Sequence, residues 1–518
     1  MRRLALVLVV LVVLVTLVAL VHAVENFRGQ RAWNRYRQDA EARGIKLDYA
    51  AYIPAPVPDA ENGANTPFIQ AWFVRPQPPG GDPLWPTNYS TASSLLTVHR
   101  RTRGGGVQDD RFLTDMAAWQ QAFASSHEED AKQKKKVETH SHGGARDPQE
   151  QAAAAKVVLT ELQPYEPALA ELRAMSSRRQ VRYPIDFKTE EPFAVLIPHL
   201  AKLKAIVQVL NLRACAELAS GQTNEAFETV KLMLWVSDSV EEETFLISQL
   251  VRIASRQIAL QTVWEGLARH QWTEAQLKEL QERMLRTDFV STLEACLSGE
   301  RAGGIATIQW MQESKKRGEA MAIFAAPQGG EEDGALWAKN LTARLIPKGW
   351  FYFEMVSMGQ FNELMTAGTW DLSSQMIHPR VVDENNRRLR EKFSHWPLDA
   401  FWNHYTIARF LLPALEKSTM RSARAQCTAH QAALACALER HRLAHGQYPD
   451  SLTELVPKYL AKVPHEVVST NAMRYAKTAN GFTLWSVGWD GADDGGAFLI
   501  SAKGKEPEHG DWVWQSAP

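Results

Sequence analysis

The chain has 518 residues, of which 45% are hydrophobic and 17 are Trp, so it can bury a large core and is not a disordered polymer. Its 58 basic and 59 acidic side chains almost cancel, leaving no net field to draw it onto nucleic acid or an anionic surface. Cys215, Cys296, Cys427 and Cys436 lack any Cys-x-x-Cys spacing, which argues against a structural zinc site or a redox pair and reads as buried free thiols.

Residues 4–24 are uncharged and follow Arg2-Arg3. A helix of that length spans a hydrocarbon core of about 30 Å, and the arginines place its N-terminus on the cytoplasmic side. Val21-His22-Ala23 also reads as a small-residue cleavage site, so a signal peptide removed after Ala23 is the competitor. The apolar run is long for a signal peptide, which favours a retained anchor, and either reading exports the rest of the chain. Residues 25–42 follow as a polar, helix-prone juxtamembrane stalk carrying Phe27, Trp33 and Tyr36. Prolines then impose extended backbone at Tyr52-Ile-Pro-Ala-Pro-Val-Pro58, and Asp59-Ala-Glu-Asn62 reads as turn chemistry rather than a cation site.

Between residues 100 and 155 the chain turns polar, with Gly104-Gly-Gly106, Lys134-Lys-Lys136 and the pair His140 and His142. Low apolar content there predicts a mobile, low-complexity excursion or a solvated helix. Residues 151–300 read as successive amphipathic helices: Leu246, Ile253, Leu260 and Trp264 keep a helical stripe, and Thr273-Glu-Ala-Gln276 is a capping box. Gly221 and Ala226 mark one helix-turn-helix of tetratricopeptide type, so the body is either a degenerate helical repeat or an irregular bundle. Gly299-Glu-Arg-Ala-Gly-Gly304 interrupts the helical pattern, and residues 349–356 and 396–405 are dense in aromatics.

From Leu411 a long helix is predicted to run to a left-handed cap at Gly446. Ser451-Leu-Thr-Glu454 starts a short helix, and Asn480-Gly481 joins two strands in a hairpin. The predicted fold is mainly α: a helical body with a small C-terminal α+β module and an N-terminal membrane helix. The expected division is 1–24 anchor or signal peptide, 25–99 stalk and extended segment, 100–155 low-complexity segment, 156–410 helical body and 411–518 α+β module.

The C-terminal turns occur in a particular order: Gly446-Gln-Tyr-Pro449, Leu455-Val-Pro457, Tyr459-Leu460, Arg474-Tyr475, Ser486-Val-Gly-Trp-Asp-Gly491 and Gly510-Asp-Trp512. This order resembles the globular head of the major pseudopilin of type II secretion. The resemblance implies an exported module linked to secretion or envelope assembly, and a calcium-binding loop with Asp490 as a ligand. The later family aspartate would correspond to Glu508 by position or to Asp493 and Asp494 by chemistry. Several carboxylates on a Gly-rich loop suit the same hard cation, although Ala492 and Ser501 break the EF-hand template and a metal-free Asp/Gly turn stays open. The chain departs from the family at Pro464-His-Glu-Val-Val-Ser-Thr-Asn471 and in its N-terminus, which lacks the prepilin-peptidase signature. It more closely resembles large anchored envelope proteins bearing this head as a terminal module.

Searches for zincin, nucleophile-elbow, Ser-x-x-Lys, P-loop and dinucleotide motifs come out empty. His441 and His445 share a helical face, but no Glu stands between them as a metalloprotease requires. The expected function is that of a non-catalytic, membrane-anchored envelope protein in the inner membrane, its bulk periplasmic and in contact with other envelope proteins. The rival is a periplasmic hydrolase or ligand-binding protein with a pocket lined by Trp350, Phe353, Trp396 and Trp402.

Overall fold

A computed structural model of the chain describes residues 2–74, 113–127, 147–178, 180–189, 192, 195–314, 318, 346–394, 397–497 and 509–516. His140, His142, Trp396 and Glu508 lie outside the described residues. In chain order the longer helices are α1 (Arg2–Ala42), α2 (Met116–His127), α3 (Pro148–Glu161), α4 (Glu166–Ser176), α5 (His199–Ala219), α6 (Thr223–Asp238), α7 (Leu246–Ala268), α8 (Glu274–Leu285), α9 (Val290–Glu313) and α10 (Lys348–Thr366). They continue as α11 (Pro379–Phe393), α12 (Pro397–Trp402), α13 (Thr406–Leu411) and α14 (Ser418–His445). Strands β1 (Trp370–Asp371) and β2 (Met376–Ile377) form a small ribbon. The chain is thus mainly helical, with an apolar N-terminal helix and a small antiparallel sheet near the C-terminus.

No proline interrupts residues 2–42, and α1 is one continuous helix. Its apolar half is bare, with side chains from Leu6 (67% exposed) to Val24 (47%) in the open, and it is long and apolar enough to cross a membrane. The polar half, expected as a juxtamembrane stalk, is docked on α10. Glycines allow the contact: a Cβ on Gly29 would meet the Gly349 carbonyl oxygen at 2.1 Å, and one on Gly359 would meet the Tyr36 hydroxyl at 2.0 Å. Tyr36 then donates to Glu363 Oε1 at 2.7 Å, and Arg43 Nη1 donates to Glu363 Oε2 at 2.6 Å. The stalk expectation missed this because the matching glycines lie some three hundred residues downstream.

Helices α5 and α6 form the expected helix-turn-helix, with Gly221 left-handed at φ +80° in the turn and Ala226 buried. The stripe on α7 is buried as read, and Thr273 and Gln276 make both bonds of the capping box ahead of α8. Two expectations are corrected. Part of the polar region 100–155 folds: α2 buries Met116, Trp119 and Phe123 and packs on α3, because those apolar side chains recur at helical spacing inside a polar stretch. The glycines from Gly299 to Gly304 do not break α9. Helical glycine costs only about 1 kcal/mol, and here it permits close approach, since a Cβ on Gly304 would meet Met358 Cε at 2.5 Å.

The last helix begins at Ser418 rather than Leu411, because Pro413 lacks an amide hydrogen and holds Leu412–Leu415 in a 3-10 turn. It ends as expected at Gly446, which takes φ +79°. Ser451 and Glu454 form the second capping box. Strands β3 (Arg474–Lys477), β4 (Phe482–Ser486) and β5 (Trp512–Gln515) pair antiparallel in that order, Arg474 opposite Trp485 and Trp485 opposite Val513. This module shares one core with the helical body: Ala432, Leu434, Leu438, Leu484 and Trp514 join Trp264, Leu277 and Leu280. Polar ties cross the same boundary, with Gln281 Nε2 donating to the Tyr459 carbonyl at 2.7 Å and Trp264 Nε1 to the Gln515 carbonyl at 2.8 Å. A second core joins α1, α9, α10 and α13. There Glu354 accepts the amides of Thr406 (2.8 Å) and Ile407 (3.1 Å) at the start of α13, and burial pushes its carboxyl up to about 7.

Candidate functional site at the C-terminal loop

The loop after β4 reverses on left-handed glycines. Gly488 (φ +65°) passes so close to the strand entering β5 that a Cβ would meet the Gly510 carbonyl oxygen at 2.0 Å. Asp490 follows, accepting from the Ala492 amide through Oδ1 and from the Gly510 amide through Oδ2, both at 3.1 Å. Its carboxylate thereby ties the two ends of the loop together. Asp493 Oδ1 accepts from Trp485 Nε1 (2.9 Å) and the Gly495 amide (3.1 Å), while Oδ2 accepts from Arg474 Nε at 2.8 Å. These N–H donors and the arginine charge hold the Asp493 carboxyl below its usual range.

Two acidic residues that sequence reasoning passed over complete the site. Glu466 is fully buried; it accepts from Arg474 Nη1 and the Val487 amide (3.2 Å) through Oε1, and from Ser469 Oγ through Oε2. Arg474 thus bridges Glu466 to Asp493 and fixes the exit of β4. Asp511, 5% exposed, accepts the amides of Gly496 (2.7 Å) and Asp494 (3.1 Å) through Oδ2, whereas its Oδ1 is buried with no donor. Burial, and then the negative charges of Asp493 and Asp494, push the Asp511 carboxyl upward. The signal for Asp511 was in Gly510-Asp-Trp512, which reads as a strand start; the signal for Glu466 was an acid between Pro464 and two valines.

Of the four acids expected to hold a metal, Asp490 and Asp493 turn their oxygens to N–H donors, and Glu508 lies outside the described residues. The Asp494 carboxylate is exposed beside Asp511. Among the described residues no three or more His, Cys, Asp or Glu side chains gather around one ion-sized point. The buried Asp511 Oδ1, which has no donor, is an oxygen of the kind a hard cation takes.

The other described candidates from the sequence meet neighbouring rings, side chains or backbone. Trp350 stands edge-on to Phe401 (ring centroids 5.1 Å) and Trp402 (5.9 Å), and Phe353 stacks on His404 (5.0 Å), while Trp402 itself is largely exposed. His441 and His445 do share a face and stack at 4.1 Å, but each Nδ1 faces a backbone carbonyl, of Gln447 and His441 respectively. His430 is buried against Gln426, and burial pushes it down to about 4. Asn62 ties its loop to Arg182 through both the amide and carbonyl of that residue, a structural turn. The four cysteines are buried.

A polar cleft of about 370 Å³ lies between α6, α7 and the end of α8, lined by Arg252, Arg256, Arg283, Arg286, Asp238 and Glu241. Two of its arginines meet its two acids: Arg252 Nη2 reaches Glu241 at 2.6 Å and Arg256 Nη1 reaches Asp238 at 3.0 Å, while Arg283 turns to Glu279 at 3.0 Å. No protein-family model, curated protein or solved structure matches this chain.

Proposed function

We propose that this is a membrane-anchored envelope protein of non-catalytic type, whose exported helical body and C-terminal module present a rigid surface to other envelope proteins. The observation that carries the reading is the single helix α1, bare and apolar over its first half and locked by glycine contacts into the body over its second. Such a helix fixes the body's distance and tilt from the bilayer, which suits a scaffold. Arg2-Arg3 set the N-terminus in the cytoplasm, so the body lies in the periplasm of an inner-membrane protein. The ordered turns that resemble a pseudopilin head point to secretion or envelope assembly. Chemical crosslinking of the full chain in its native envelope, read by mass spectrometry, is expected to give discrete adducts with membrane-associated proteins. A chain recovered only as an uncrosslinked monomer would overturn the reading.

Calcium belongs to the same proposal, held by Asp511 with Asp494 beside it, where burial and then the neighbouring negative charges of Asp493 and Asp494 disfavour the charged Asp511 carboxylate. Its role is to neutralise that repulsion, with affinity on the order of 10⁻⁴ to 10⁻³ M as in extracellular modules. Binding to the folded state alone raises stability by about 2.7 kcal/mol at about a hundredfold excess over Kd. The module shares its core with the body, so the measurement uses the full chain: melting in millimolar calcium is expected above that in chelator, and Asp511→Asn is expected to abolish the difference. Equal melting temperatures for the unaltered protein would remove calcium from the loop.

A further inference from the structure

Body and membrane helix meet at a defined height. The uninterrupted apolar run of α1 ends at Val24, and the body meets the helix just beyond it at Gly349, whose amide donates to Asn26 Oδ1 at 2.7 Å and whose Cβ, were there one, would meet the Glu25 carbonyl oxygen at 2.0 Å. Four residues of helix rise separate Val24 from Arg28, or about 6 Å. The polar layer on each side of a bilayer is of similar thickness, since the whole bilayer of about 40–45 Å exceeds its hydrocarbon core of about 30 Å by about 5–8 Å per face.

An aromatic cluster sits at that height. Trp350 is next in sequence to Gly349 and touches Phe401, Trp402 and His404 with ring centroids at 5.1, 5.9 and 4.8 Å. The Arg28 guanidinium lies 5.9 Å from the Phe353 ring centre, and His404 feels the charges of Glu25 and Arg28. Packing does not use all of this aromatic surface. Trp402 is 64% exposed and Phe27, on α1 itself, is 66% exposed. An exposed Trp ring near the end of an apolar span, with Arg28 paired to Glu25 beside it, has the chemistry of a membrane-interface belt.

We infer that Trp402 and Phe27 insert into the headgroup–acyl boundary of the membrane that α1 spans, so that the body rests on the bilayer by two points. The occupant of this aromatic face is lipid, because the face continues the bare surface of α1 without a polar gap longer than the interfacial layer. The inference rests on the spanning reading of α1, and its test separates the two. The full chain is placed in nanodiscs of phosphatidylcholine and phosphatidylglycerol, with one environment-sensitive dye introduced through Trp402→Cys, Leu14→Cys or Lys477→Cys; the native cysteines are buried. The dye at Trp402 is expected to lose fluorescence to lipids spin-labelled at the headgroup or upper acyl chain, and to resist aqueous iodide. The dye at Lys477, on exposed β3, is expected to do the reverse. If the dye at Leu14 is quenched by deep acyl labels while that at Trp402 answers only to iodide, or to neither quencher, the anchor stands and the interfacial contact is overturned. If the dye at Leu14 is not quenched by lipid either, the spanning reading falls with it.

Discussion

Glu466→Ala is expected to destabilise the protein by about 3 kcal/mol or more and to open the loop between β4 and β5. Removing one member of a buried ion pair costs about 3–5 kcal/mol because the other charge is stranded. Arg474 is only three-quarters buried and keeps Asp493, which pulls the cost toward the lower end. The Val487 amide, however, loses its acceptor inside the core, and an orphaned buried N–H adds about 1–3 kcal/mol. Glu466→Gln keeps an acceptor for that amide and should fall between the two. Asp493→Ala removes the exposed end of the same bridge and should cost far less, because water already screens it. Chemical denaturation of the three variants measures the order, and proteolysis within residues 488–511 reports the loop. Equal losses for Glu466→Ala and Asp493→Ala would show that Glu466 does not organise the site.

The parts of the fold that were legible in the sequence are those fixed within a few residues. Gly446 needs only its own φ to cap α14, Thr273 and Ser451 each find a partner three residues on, and Asn480-Gly481 turns β3 into β4. Asp490 was legible as a loop former for the same reason. What escaped depended on partners far along the chain. Glu466 gains its role only once β3 has brought Arg474 beside the loop, and Asp511 only once β5 has closed on β4. The glycines of α9 and α10 carry no helical stripe, so their value as close-contact points is invisible until Gly304 faces Met358 and Gly349 faces Glu25. Composition misled for α2, where three apolar side chains were outweighed by the polar stretches around them.

Gly349→Ala is expected to undock the base of α1, and here two effects oppose each other. In an isolated helix alanine is the better residue by up to about 1 kcal/mol, so propensity alone predicts a more stable protein. At this site the new Cβ would lie 2.0 Å from the Glu25 carbonyl oxygen, 2.4 Å from its carbon and 2.7 Å from the Asn26 nitrogen. All three are backbone atoms of a helix and cannot rotate aside, so α1 and α10 must separate by more than an ångström. Overpacking of this kind costs about 1–3 kcal/mol even where flexible side chains can yield, and separation also stretches the 2.7 Å bond from the Gly349 amide to Asn26. The contact therefore outweighs the propensity, and the net change is destabilising. Gly29→Ala opens the same gap from the other side, its Cβ meeting the Gly349 carbonyl oxygen at 2.1 Å. Once one substitution has parted the helices the second meets less resistance, so the double variant should lose less than the sum of the singles. Melting temperature gives the sign, and hydrogen exchange of residues 25–43 gives the location. A Gly349→Ala protein that melts higher than the unaltered chain, with those amides still protected, would mean that α1 is not seated on α10.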